Sequence, residues 1–150
     1  MWASLTNDQV WQFWAGKGLI KGCIEEQGCL DVSPGVAFMT DRLAEFSEFG
    51  RRFSIAAANV NTGEYEVFDQ TNTVYEDLAR TAIASGSIPG VFPPMKLNGY
   101  VLMDGGTIHD VNLISGVQQC LDLVDNDESR VIVDIAICGA GKHAPFDPSK

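Results

Sequence analysis

Apolar residues recur along this chain with two periods, and the changes between them mark its elements. Thr6 to Gln9 forms a capping box, with Leu5 and Val10 placed to staple it. The helix it opens carries Val10, Trp11, Phe13 and Trp14, and Gly16 or Gly18 stops it. Ser33-Pro34 marks a second helix start, with proline at the first helical position. Val36, Met39, Leu43 and Phe46 then recur at helical spacing. The period shortens at Phe53 to Val60, which reads as a strand. Asn61-Thr62-Gly63 is turn chemistry, and Glu64 to Phe68 returns as the second arm of a hairpin. Tyr75, Leu78, Ala79, Ala82 and Ile83 resume the spacing of an amphipathic helix, which Gly86 and Pro89 end.

Lys96 to Val101 predicts a second hairpin, because Asn98-Gly99 accepts the positive φ of a type I′ turn. Its return strand runs directly into Asp104-Gly105-Gly106. Ile114, Val117, Leu121 and Val124 mark another helix. Val131 to Ile137, broken only by Asp134, predicts a strand buried on both faces. The tail, residues 143–150, reads as loose. Strands alternating with helices predict an α/β arrangement, a mixed sheet with flanking helices. No linker divides the 150 residues, and no internal repeat appears.

The composition narrows the classes of function. The 45% of hydrophobic residues allows a core that buries roughly 70% of the unfolded surface. No run of ~18 apolar residues is present to span a bilayer. Twenty acidic against ten basic residues give a formal charge of −10, which argues against a nucleic-acid partner. The same charge opposes electrostatic adhesion to anionic lipid, so any membrane contact is expected to be transient and apolar. Cys23, Cys29, Cys120 and Cys138 form no C-x-x-C pair and read as buried free thiols. The first residues lack the basic flank and apolar run of a signal peptide, which weakly favours a cytoplasmic protein.

Two segments carry candidate chemistry. Asp104 stands at a strand end before two glycines, where no Cβ crowds it and its carboxylate can face a pocket as a general base. Taken alone, Met103-Asp104-Gly105-Gly106 reads first as an ordinary solvent-exposed turn. Ala84 to Pro94 leaves a helix for a loop stiffened by Pro89, Pro93 and Pro94, either a connector or the wall of a pocket.

The order of these segments resembles the second half of the patatin-like phospholipase catalytic domain. Ala84 to Pro94, a short hairpin, Asp104-Gly105-Gly106 and a following helix carry the resemblance, and Phe53 to Phe68 matches the preceding strand pair. It is best over 51–138 within an expected partial domain of 1–150. The resemblance implies an α/β lipid acyl hydrolase with a Ser–Asp dyad, and Asp104 as its base. It implies an acyl lipid or phospholipid substrate and no cofactor or metal. The alternative is a non-catalytic module of the same fold that binds lipid or protein.

The departures are as specific as the match. No serine here, from Ser4 to Ser149, has glycine two positions earlier, so the G-x-S-x-G nucleophile elbow of that family is missing. The chain therefore reads as a fragment holding the aspartate half of an active site, expected to be inactive alone. After the glycines, Asn112 leads to Leu113 and Ile114 without the family's proline.

The remaining candidates read more simply. Ser87 follows glycine directly and precedes Pro89, so it is a loop or cap serine. His109, near Asp104, reads as a loop residue, because the dyad needs no histidine, and His143 stands alone. Gly139 to Lys142 lacks two positions of a phosphate loop. Asp125-Asn126-Asp127 lacks the glycine and final glutamate of a calcium loop. Trp2, Trp11 and Trp14 fit a core face before a lipid interface.

Overall fold

The computed structural model describes residues 27–136. The helix expected around Val10 to Trp14, the three tryptophans, the Gly139 to Lys142 loop, His143 and the tail lie outside the described residues. The first described helix is α1, Ser33–Leu43, with Pro34 in its first turn. The Asp31 carboxylate accepts the Ser33 N–H at 2.9 Å. Phe46, expected to continue this face, lies beyond the helix at 63% exposure. Ala44 N–H closes the last α-helical bond, to Thr40 O at 2.9 Å. Beyond it the chain turns, and Leu43 O accepts from the Phe46 N–H at 2.9 Å and from the Tyr75 hydroxyl at 3.0 Å.

Four strands follow: β1, Ser54–Asn59; β2, Tyr65–Asp69; β3, Met95–Leu97; and β4, Tyr100–Asp104. They pair in the order β2-β1-β4-β3, and every ladder is antiparallel. Both predicted hairpins form. The tighter one turns on Asn98 at φ 48° and Gly99 at φ 88°, the left-handed conformations that a two-residue turn of this hand requires. The molecule mixes helix and strand as expected of this α/β class. The mixed character of the sheet itself is not expressed among the described strands, where parallel contact is confined to isolated bridges such as Gly28 with Gly90.

Helix α2, Leu78–Ser85, follows a 3-10 turn at Tyr75–Asp77 and packs over the sheet. Ala84 meets Ala57, Phe68, Met95, Leu97 and Leu102 in the core, with Val36 and Ile83 against them. Central strand β1 buries Ala56, Ala57, Ala58 and Asn59 in succession. Alanines on a strand covered from both sides let other backbone approach closely. The buried Asn59 amide donates to Glu66 Oε1 at 3.0 Å, and its Oδ1 accepts the Asn61 N–H at 3.1 Å.

Helix α3, Leu113–Leu121, forms where expected and stops short of Val124. Two side-chain bonds tie it to the start of β1: Asn112 Nδ2 to Ser54 Oγ at 2.7 Å, and Gln119 Nε2 to Phe53 O at 2.8 Å. The strand expected from Val131 does not form. Residues 131–136 join no ladder, and Ile132 is 89% exposed. An apolar run becomes a strand only beside another strand, and none of the described ones flanks it. The cysteine expectation is also corrected. Cys29 is disulfide-bonded, and Cys120 is a free thiol on the exposed side of α3 rather than a buried one.

Candidate functional site

Asp104 is the last residue of β4, opposite Ala57 in the β1–β4 ladder. Directly paired residues face the same side of a sheet, so its side chain shares the side of Ala57, the side that α2 covers. The strand ends there because the chain tightens at once into a 3-10 turn, Gly105–Thr107. The Asp104 Oδ1 accepts the Gly106 N–H at 2.8 Å and so closes this turn as its cap. Among the described residues, no hydrogen bond reaches Oδ2.

The two glycines have different reasons to be glycine. A Cβ on Gly105 would lie 2.7 Å from Ala56 O, against the backbone of β1. A Cβ on Gly106 would lie 3.0 Å from Asp104 Oδ1 and 3.6 Å from Asp110 Oδ1. The first glycine lets the turn dock on the sheet. The second leaves room for two carboxylates that converge on it.

A cavity of about 250 Å³ opens beside Asp104. Ala82 and Ser85 of α2, Ser54 of β1, Tyr65 of β2 and Asn112 contribute to its walls. Asp104 also borders a second hollow of about 470 Å³, with Ile88 and Pro89 opposite. The loop after α2 is held to Asp104 directly, for the Asp104 N–H donates to Ser87 O at 3.0 Å. The two segments that carried candidate chemistry in the sequence thus meet around one carboxylate.

The other candidates divide clearly. Ser87 is 1% exposed and its hydroxyl donates to Ile83 O at 2.8 Å, so it caps the end of α2. His109 lines the Asp104 cavity, but its ring stands edge-on to Tyr65, 5.1 Å between centroids, and it makes no hydrogen bond to Asp104. Burial raises the Tyr65 phenol above its ordinary value by disfavouring the charged phenolate. Asp125 and Asn126 turn through positive φ, and Asp127 Oδ1 accepts from the Ser129 N–H at 3.1 Å, a capped turn rather than a cation loop. Among the described residues no three His, Cys, Asp or Glu side chains gather to hold a metal. No helix among them is long and apolar enough to cross a membrane.

Sequence reasoning missed Ser54, Tyr65 and Asp110 as cavity residues. Asp110 was within reach, six residues from Asp104 in the same loop. Ser54 and Tyr65 arrive only through strand pairing, and no local pattern marks them.

Comparison with known proteins supplies one match. The family model described as patatin-like phospholipase fits residues 12–116, well over half of the chain. No curated protein matches significantly, and neither does any solved structure.

Proposed function

Because this chain belongs to the patatin-like phospholipase family, we propose that it serves lipid acyl-ester hydrolysis by a Ser–Asp dyad, with Asp104 as the base. The observation that carries this reading is the state of the carboxylate. Gly106 N–H holds Oδ1 at 2.8 Å, while Oδ2 has no hydrogen-bond partner among the described residues, and Asp104 lines two open cavities. One oxygen is fixed in direction, and the other is left to accept a proton.

The chemistry then runs in two halves. A serine hydroxyl is a weak nucleophile at neutral pH, and Asp104 would take its proton as it attacks the ester carbonyl. Protonated Asp104 would return that proton to the departing alcohol, leaving an acyl-enzyme. It would next deprotonate the water that frees the fatty acid and restores the serine. The serine belongs to a G-x-S-x-G segment that this sequence does not contain. Gly105 keeps the base pressed on β1, and Pro89 with Ile88 walls the opening where an acyl lipid would approach.

The test uses two polypeptides. The 150-residue chain alone should neither hydrolyse a chromogenic acyl ester nor be labelled by a serine-directed phosphonate. In a polypeptide joining this segment to a G-x-S-x-G elbow of the family, Asp104→Asn should lower ester turnover at least ~10²-fold, the low end for loss of a general base. Near-full activity of that variant would remove Asp104 from the role.

A second reading has its own observation. The best-placed serine of the loop, Ser87, is buried with its hydroxyl committed to Ile83 O. That favours a non-catalytic module that binds lipid or protein through the same fold. Lipid binding by the joined polypeptide without turnover, and without phosphonate labelling, would select this reading.

A further inference from the structure

Away from Asp104, the segment between α1 and β1 encloses a different kind of cavity, of about 790 Å³. Its walls are aromatic. Phe49 stands between Phe53 and Tyr75, with ring centroids 5.0 and 5.2 Å apart. The Tyr75 hydroxyl, bonded to Leu43 O, fixes that wall to the end of α1. Phe46 projects at the mouth, 63% exposed. The exposed Phe46 ring carries the apolar lining of the hollow out to its mouth, and a concave, largely apolar lining is what a small-molecule site needs.

The rim supplies the polarity. Arg51 and Arg52 are adjacent, exposed and line the same opening. Neither is in an ion pair among the described residues. Of the two carboxylates there, Glu45 is engaged by Arg42 at 3.8 Å, and Glu48 is the other. In a chain of net charge −10, Arg51 and Arg52 balance Glu45 and Glu48 on this rim, and two neighbouring guanidinium groups outside any described ion pair stand over the aromatic hollow. Guanidinium groups bind carboxylate through paired N–H donors.

We propose that this cavity binds a single-chain anionic amphiphile of the fatty-acid class, its carboxylate on Arg51 and Arg52 and its tail among Phe46, Phe49, Phe53 and Tyr75. At about 790 Å³ the hollow lies within the size range of small-ligand pockets, room enough for one extended acyl chain. The site is distinct from the carboxylate of Asp104, although Ile55 contributes to the walls of both cavities. Binding here needs no turnover, so it stands or falls independently of the hydrolase reading.

Calorimetric titration of the 150-residue chain with laurate, kept below its micelle concentration, tests the site. Laurate should bind saturably at one per chain. The double variant Arg51→Gln, Arg52→Gln alters only exposed side chains and should weaken laurate about tenfold or more, the worth of one hydrogen bond to a charged group. It should leave the affinity for 1-dodecanol unchanged, and Phe49→Ala should weaken both ligands. The proposal is overturned if the double variant binds laurate as the parent does. It is equally overturned if monomeric laurate fails to saturate while the chain sediments with phosphatidylglycerol vesicles, which would be adhesion to a membrane surface.

Discussion

At position 105 the absence of a side chain has a structural consequence that can be weighed. An alanine methyl there would sit 2.7 Å from Ala56 O, and its neighbour in that direction is strand backbone, which cannot swing aside. Gly50 offers the contrast, because a methyl added there would meet nothing within 4 Å. Gly105→Ala should therefore cost about 1–3 kcal/mol, the range for forcing an extra methyl into packed structure. Gly50→Ala should melt with the parent or slightly above it. Thermal melts of the two variants check this directly, and equal melting temperatures would mean that the turn does not press on β1. The pair Asp104 and Gly105 was legible in the sequence because strand end, carboxylate and glycines are contiguous. The residues facing them across the cavity, Ser54 and Tyr65, were not, since their proximity is created by pairing of β1 with its neighbours.

Among the elements, those specified by near neighbours in sequence are the ones that the sequence predicts. Asn98-Gly99 dictates its hairpin, and α2 ends at Gly86, with the Ser87 hydroxyl on Ile83 O and Pro89 close behind. The segment 131–136 is the reverse case. Val131 to Ile135 has the composition of a buried strand, but a strand needs a partner, and its partner is not encoded nearby. The end of α1 draws on both kinds of contact, for Leu43 O accepts from the nearby Phe46 N–H and from the distant Tyr75 hydroxyl. At the end of β2, local chemistry has a pH signature. Asp69 closes the turn by accepting from the Thr71 hydroxyl and the Thr71 N–H, and these bonds hold its carboxyl below the ordinary value. A depressed folded-state pKa adds stability above the unfolded value of about 4, and that stability is lost as pH falls from there through the folded value. Asp69→Asn should thus lower stability at neutral pH, and the difference from the parent should shrink as pH falls below about 4, leaving a flatter acid limb. Denaturant midpoints measured across that range decide it, and an unchanged acid limb would exclude Asp69 as a contributor.

Over the whole molecule, two features oppose each other. Ile114 on α3 is 85% exposed and Ile132 is 89% exposed, and Leu123, Val133 and Ile135 are exposed with them. Large apolar side chains left this exposed favour association. The net charge of −10 opposes it, because each copy repels the next over distances of about a Debye length. Which effect prevails is then a matter of ionic strength. At low salt, repulsion keeps copies apart; at ~1 M salt the screening length falls to about 3 Å and only the apolar contact remains. The chain should therefore be monodisperse at low salt and self-associate as salt is added. Ile114→Ser with Ile132→Ser removes apolar surface without touching the charge, and this double variant should stay monodisperse throughout. Light scattering along a salt series distinguishes the outcomes. If parent and variant behave alike at high salt, the exposed face of α3 and residues 131–136 is not what draws the copies together.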